Sequence, residues 1–116
     1  MIDLCVVNYN TKDLLKRFLD SLHSDVNEQN KIWNLYISDN GSSDGSWSWI
    51  EENRGNYHIT AGWNNDNIGY SAACNGMASY CSGDIICLLN ADVWLTTSDL
   101  VAVQKIFDDK IGRAHV

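Results

Sequence analysis

An uninterrupted apolar run at residues 85–89, Ile-Ile-Cys-Leu-Leu, constrains the fold of this chain more than any other feature of its sequence. Apolar and polar residues do not alternate in it, which is typical of a parallel strand covered by helices on both faces. The run stops on Asn90-Ala91-Asp92, so polar oxygens follow its carboxyl end. Ligands bind at that edge in open α/β sheets, although an ordinary Asn/Asp turn after a buried strand leaves the same pattern.

Three further apolar segments alternate with four segments of helical periodicity. We predict strands at 2–7, 32–38, 57–61 and 85–89, and helices at 11–23, 44–53, 70–81 and 96–109. Strict alternation of this kind implies a parallel sheet with right-handed crossovers. The sequence therefore predicts an α/β fold with three layers, α/β/α, and a mainly parallel sheet.

Helical spacing also predicts which side chains face the core. Gly83 is expected to end the third helix in the C′ position. The predicted inward residues, in chain order, are Leu14, Leu15, Phe18, Leu19, Leu22, Trp47, Ile50, Tyr70, Ala73, Cys74, Met77, Ala78, Cys81, Leu100, Val103 and Phe107.

Four polar loops, at 8–10, 39–43, 64–67 and 90–92, each follow a predicted strand directly. Because the carboxyl ends of parallel strands meet at one edge of a sheet, we expect these loops to converge. They contain more Asn, Asp, Gly and Ser than turns alone require. A binding site at this edge is the resulting prediction.

Charge and targeting signals exclude several classes of function. A formal net charge of −7 argues against nucleic-acid binding and against adhesion to an anionic membrane. No signal-peptide pattern and no apolar run of membrane-spanning length is present, so we expect no membrane insertion and a cytoplasmic location. The four cysteines form no C-x-x-C pair and are expected to be reduced core residues rather than zinc ligands. No catalytic constellation involves His23, His58 or His115, which are expected to be solvated.

The polar edge lacks the usual phosphate-binding signatures. Neither G-x-G-x-x-G nor G-x-x-x-x-G-K-[ST] occurs, and Lys12 is the only basic residue close to the loops. A bound phosphate would therefore need helix N-termini and a metal ion to offset its charge. Asp92 is a suitable oxygen ligand for Mg²⁺ or Mn²⁺, and Asn90 reaches the same place as a neutral oxygen or a donor.

Four motifs at 6–10, 38–46, 67–70 and 88–93 resemble, in order and spacing, the nucleotide-sugar half of family 2 glycosyltransferases, in particular the rhamnosyltransferase-like branch. The resemblance implies a GT-A fold with a Rossmann-like nucleotide-binding half over residues 1–110 and a tail at 111–116. It implies a UDP- or dTDP-sugar donor, Mg²⁺ or Mn²⁺ on the diphosphate, and a role in cell-surface polysaccharide synthesis. By position, Asp39 would hydrogen-bond the base or ribose and Asp92 would face the metal. The remaining pocket residues implied are Asn8, Tyr9, Asn10, Gly41, Asn67, Gly69 and Asn90.

The sequence departs from the family pattern in three ways. Asn90 replaces the first acid of the D-x-D motif, and Ala91 stands where this branch often has proline. Family members are also about twice as long or longer, and their second half supplies the acceptor site and the general base. We therefore expect a truncated, acceptor-less half, inactive alone, in which no catalytic residue is assigned.

Two other interpretations remain. The chain could be a non-catalytic nucleotide-sugar-binding module that self-associates through an exposed sheet edge or the fourth helix. A nucleotidyltransferase is disfavoured because the Gly-rich basic loop of such enzymes is missing after the first strand.

Overall fold

The predicted alternation of strands and helices is confirmed. A computed structural model describes the backbone of residues 1–114 and the side chains of residues 1–110. The elements, in order, are β1 (Ile2–Asn8), α1 (Lys12–His23), β2 (Trp33–Asp39), α2 (Ser46–Asn53), β3 (Ile59–Trp63), α3 (Tyr70–Ala78), β4 (Ile85–Asn90) and α4 (Thr97–Ala114). Within these ranges no helix is both long and apolar enough to cross a membrane.

The four strands form one sheet in the order β3-β2-β1-β4, and every neighbouring pair is parallel. Asn8 of β1 is level with Asp39 of β2, and Val7 is level with Asn90 of β4. Asp39 is in turn level with Trp63 of β3. The carboxyl ends of all four strands therefore lie side by side, as the sequence predicted.

One face of the sheet carries the main hydrophobic core. Ile2, Leu4 and Val6 of β1 are fully buried there, and Trp33 is the largest fully buried side chain. The core also takes in residues from α1, α2 and α4, namely Leu15, Phe18, Leu19, Leu22, Ile50 and Leu100. The Trp33 indole donates a hydrogen bond to the Thr97 hydroxyl, 3.1 Å away, which fixes the start of α4 against β2.

The opposite face is covered by α3, which contacts β1 and β2. Ala73, Cys74 and Met77 are its buried residues. The prediction that β4 is covered on both faces is wrong, because Ile86 and Leu88 are 47% and 51% exposed. Since β4 is an edge strand and α3 lies over β1 and β2, that side of β4 has no covering element in the described part of the chain.

Two helix ends differ from the predictions. α3 ends at Ala78, so Gly83 is not its C′ residue. A Cβ on Gly83 would lie 2.6 Å from the Met1 carbonyl oxygen and 2.9 Å from an Asp3 carboxylate oxygen, so Gly83 permits close approach to the start of β1. α4 continues past the predicted 109 to Ala114 and takes in part of the predicted tail, of which residues 115 and 116 lie outside the described residues.

Several side chains predicted to face the core are exposed. Leu14, Tyr70 and Val103 are each at least 40% exposed. His23, predicted to be solvated, is partly buried against the rings of Trp33 and Tyr57. Burial lowers its pKa, and its Nδ1 lies 3.0 Å from the Leu19 carbonyl oxygen.

The other predictions for histidines and cysteines concern His58, His115 and the four thiols. His58 is exposed, as predicted, and His115 lies outside the described residues. All four cysteines are free thiols. Cys5 and Cys74 are buried, and Cys81 and Cys87 are half-buried.

Candidate functional site

The loops after β1 and β2 are joined by a buried carboxylate. Asp39 is fully buried and accepts hydrogen bonds from the Asn8 Nδ2 (2.8 Å), the Ser42 backbone N–H (2.8 Å) and the Ser42 hydroxyl (3.0 Å). Asn8 is also fully buried, and its Oδ1 accepts the Thr11 hydroxyl proton at 2.6 Å. Both carboxylate oxygens of Asp39 are therefore engaged inside the protein, where they fix the two loops against each other.

Asn10 forms a second set of hydrogen bonds between the same two loops. Its φ of 53° is in the left-handed region, which Asn tolerates better than most residues. The Asn10 side-chain oxygen accepts the Ser43 backbone N–H at 2.7 Å, and its own backbone N–H donates to the Ser42 hydroxyl at 2.9 Å. In this structure Asn10 therefore holds the loop after β1 against the loop after β2.

The third loop is tied in through Asn40, which is 2% exposed. Its backbone N–H donates to the Asn8 carbonyl at 2.9 Å. Its Nδ2 lies within hydrogen-bond distance of the Asn67 Oδ1 (3.2 Å) and the Gly69 carbonyl (3.3 Å), and its Oδ1 accepts the Asn64 Nδ2 at 2.8 Å. Asn40 was not among the predicted site residues, although it stands next to Asp39 in the motif at 38–46.

Two of the predicted site residues are glycines with positive φ. At Gly41 (φ 80°) a Cβ would lie 2.9 Å from the Asn65 carbonyl oxygen, so only glycine permits the approach of the second and third loops. Gly69 (φ 87°, ψ 161°) adopts a conformation essentially restricted to glycine and directly precedes α3. The Gly69 backbone therefore sets the position at which α3 begins.

These loops enclose a cleft of about 330 Å³ at the carboxyl edge of the sheet. Of the predicted residues, Tyr9, Asn67, Asn90 and Asp92 line it. The other lining residues are Val7, Thr11, Leu14, Asn40, Tyr70 and Ala91. Asp92 is the only carboxylate of this lining, and neither Lys nor Arg belongs to it.

The predicted residues thus fall into two groups. Tyr9, Asn67, Asn90 and Asp92 line the cleft. The others, Asn8, Asn10, Asp39, Gly41 and Gly69, are outside its lining and hold the loops or set the start of α3. Leu14 was not predicted as a site residue, because its helical spacing placed it in the core. In the structure it is 40% exposed and faces the cleft instead.

A larger hollow of about 420 Å³ lies elsewhere, between α3 and the strands β2 and β3. Its lining is mostly apolar and has no carboxylate, histidine, lysine or arginine. Such a surface offers no charged ligand for a metal ion and no basic side chain for a phosphate. The polar cleft is therefore the better candidate for a charged ligand.

The residues of the cleft suit a divalent cation that takes some of its ligands from a bound molecule. No group of three or more His, Cys, Asp or Glu side chains is placed to hold a metal ion in the part of the chain described. Mg²⁺, however, is commonly held by one or two carboxylates together with substrate phosphates and water. Asp92 and the amide oxygens beside it match that type of site.

Comparison with known proteins agrees with this architecture. The family model for glycosyl transferase family 2 matches residues 3–111. The abequosyltransferase RfbV of Salmonella typhimurium strain LT2 is 28% identical over 115 residues, which is 95% of this chain and 33% of that protein.

Solved structures show the same fold. The S. aureus TarS 1–349 structure in complex with UDP has a TM-score of 0.80 at 17% identity, covering 93% of this chain and 32% of that one. The Pyrobaculum calidifontis mannosyltransferase PcManGT, in complex with GDP-Man and Mn²⁺, has a TM-score of 0.65 at 21% identity, covering 78% and 27%. The chain thus spans about a third of the length of the relatives it matches.

Proposed function

Because the chain belongs to glycosyl transferase family 2, we propose that its cleft binds the nucleoside diphosphate of a UDP- or dTDP-sugar during glycosyl transfer in glycan synthesis. Residues 1–110 would be the donor-binding half. The UDP-bound TarS structure and the GDP-Man-bound mannosyltransferase, both of the same fold, support a nucleotide-sugar as the ligand. Assignment to the rhamnosyltransferase-like branch and to surface polysaccharide remains part of the proposal.

One observation carries the proposal: a single carboxylate, Asp92, stands in a cleft otherwise lined by amides, hydroxyls, aromatic rings and apolar side chains. We assign Asp92 to a Mg²⁺ or Mn²⁺ ion held jointly with the diphosphate, and Asn90 to a hydrogen bond beside it. A cation in this place would stabilise the charge of the departing nucleoside diphosphate.

Further residues of the cleft would bind the remainder of the nucleotide. Tyr9 and Asn67 line the cleft and would border the base and ribose. α3 begins at Tyr70 on the same border, and the N-terminus of a helix favours negative charge. Phosphates placed there would gain a favourable field although the lining supplies no basic side chain.

Asp39 plays its predicted part only after a local change. A hydrogen bond from the base or ribose would compete with the donors that already occupy its carboxylate. Asp39 is also fully buried and outside the lining of the cleft, so the Ser42 side chain would have to move away to expose an acceptor position as well as to free it. We therefore propose that Asp39 holds the loops in the free chain and accepts a ligand hydrogen bond when Ser42 releases it.

We assign no general base within residues 1–110. An inverting transfer requires a group that takes the proton of the acceptor hydroxyl, and Asp92 is already committed to the cation. Incubation of this chain with donor and mixed saccharide acceptors should therefore give no transfer, whereas turnover would contradict this assignment.

Calorimetry tests the binding proposal. UDP, dTDP and GDP are titrated into the chain with and without Mn²⁺. We expect binding that requires the cation and is weakened at least tenfold in Asp92→Asn, since that change removes the charge but keeps the shape. Asp66→Asn, at an exposed position outside the cleft, is the matched control. Absence of binding by all three nucleotides in the presence of Mn²⁺ would overturn the proposal.

The second candidate, a self-associating module, is favoured by β4. β4 is an edge strand, and it exposes Ile86 and Leu88 on the face that α3 leaves uncovered. The strand carries neither charge nor proline. Edges of this kind pair with other chains. Sedimentation over a range of concentrations should show association that Leu88→Lys abolishes, and a monomer at the highest concentration would exclude it.

A further inference from the structure

Two cysteines face each other behind α3, away from the cleft. The Sγ atoms of Cys5 and Cys81 are 3.6 Å apart. Cys5 is in the middle of β1 and is fully buried, whereas Cys81 follows the end of α3 and is half-buried. The Cys81 thiol also lies 3.5 Å from the Met77 carbonyl oxygen. Nothing in the proposed binding chemistry uses either thiol.

This separation is short enough for covalent closure. A disulfide needs the two sulfurs about 2.05 Å apart, so they must approach by about 1.5 Å. Cys5 is fixed by the ladders on both sides of β1. Cys81 lies in the connection between α3 and β4, outside any helix or strand. Because the Asp3 carboxylate holds the N–H groups of Ser82 and Gly83, the movement must come from the Cys81 side chain and the turn before it.

We propose that Cys5 and Cys81 are a thiol pair that closes to a disulfide by exchange with a small-molecule disulfide such as oxidised glutathione. The half-exposed Cys81 thiolate attacks one glutathione sulfur and releases one reduced glutathione. Cys5 then attacks the sulfur of Cys81 and releases the second. Two protein thiols are oxidised, one glutathione disulfide is reduced to two thiols, and the protons are conserved.

The environment of Cys5 sets the order of these steps. Burial, together with the contact to Cys81, raises the pKa of Cys5 to about 12. Burial still disfavours the Cys5 thiolate after Cys81 carries glutathione, so the closing step should be the slow one and should become faster as the pH rises. The other titratable groups facing Cys5 are Asp3, Tyr36, Tyr70 and Cys74.

Closure would tether α3. This helix has only nine residues, contains Gly76, and is the one helix over its face of the sheet in the described residues. A bond from Cys81 to β1 anchors the end of α3 remote from the cleft. Amide hydrogen exchange within α3 should consequently slow by about tenfold or more on oxidation and recover on reduction.

The test is made on the native chain equilibrated in glutathione redox buffers. We expect the intact mass to fall by about 2 Da, two of the four thiols to be lost, and a cross-linked peptide to join Cys5 to Cys81. Cys81→Ser should keep its remaining thiols reduced, whereas Cys87→Ser should cross-link as the parent chain does.

Four titratable thiols after oxidation, a cross-link through Cys74, or a lasting glutathione adduct on Cys81 would each overturn the proposal. These readouts are taken on the parent chain, so they decide the question even if Cys81→Ser folds poorly. Unchanged hydrogen exchange in α3 of the oxidised chain would overturn the tether. None of these outcomes depends on nucleotide binding.

Discussion

Replacing Asp39 with Asn should destabilise the chain although the side chain keeps its shape. The carboxylate accepts hydrogen bonds from donors on Asn8 and Ser42 at both of its oxygens. An amide has only one oxygen, and its NH₂ group must then face either the Ser42 backbone N–H or the Asn8 Nδ2. In each orientation two donors meet in a fully buried place.

The magnitude follows from the groups left unpaired. A buried donor without a partner costs about 1–3 kcal/mol, and hydrogen bonds to a charged acceptor are stronger than neutral ones. We therefore expect Asp39→Asn to lower the free energy of unfolding by about 2–4 kcal/mol. For a domain of this size that corresponds to a fall in Tm of about 8–16 °C.

Urea unfolding followed by tryptophan fluorescence measures this change, because Trp33 is fully buried in the core. The m-value should stay the same, since the surface exposed on unfolding does not change. Asp66→Asn removes the same charge at an exposed position and should leave stability within about 0.5 kcal/mol. If Asp39→Asn matched that control, the reasoning about the buried carboxylate would be refuted.

Three further outcomes are expected in the same unfolding assay. Gly41→Ala should destabilise the chain by about 1–3 kcal/mol, because of its positive φ and a backbone oxygen 2.9 Å from the new Cβ. Gly55→Ala, which meets no atom within 4 Å, should not. Thr97→Val should cost about 1–3 kcal/mol by leaving the Trp33 indole N–H without its buried acceptor, and a neutral result would show that water replaces the hydroxyl. Burial lowers the pKa of His23 below the ordinary 6.5, so the unfolded chain binds more protons as pH falls through that value and stability decreases. His23→Gln should lessen the decrease between about pH 7.5 and 5.5, and an identical decrease in the variant would contradict its origin at His23.

The strands and their parallel arrangement were predictable because both follow from local patterns. Apolar runs separated by helical periodicity leave few topologies, and the level pairing of Asn8 with Asp39 is what convergence at one edge requires. The cover of β4 was not predictable. An apolar run reads the same whether or not another element packs on its outer face, and here Ile86 and Leu88 are exposed.

The candidate site was predictable as a place but not residue by residue. A polar side chain after a strand can turn toward a ligand or toward a neighbouring loop, and its spacing along the chain does not distinguish these cases. Tyr9 and Asp92 line the cleft, whereas Asn8 and Asp39 turned inward to each other. The choice depends on contacts between loops about 30 residues apart in the chain.

The proposed need for a cation is argued from the lining of the cleft, whichever base or sugar is bound. A diphosphate brings negative charge close to Asp92, in a chain whose net charge is already −7. Two like charges 4 Å apart repel by about 4 kcal/mol near a protein surface. No Lys or Arg lines the cleft that the described residues form, so no side chain there can offset this repulsion. The helix N-terminus at Tyr70 contributes about half an elementary charge, which is too little alone. A divalent cation between Asp92 and the phosphates would replace this repulsion with two attractions, and binding that proceeds equally well without one would mean that the diphosphate lies elsewhere.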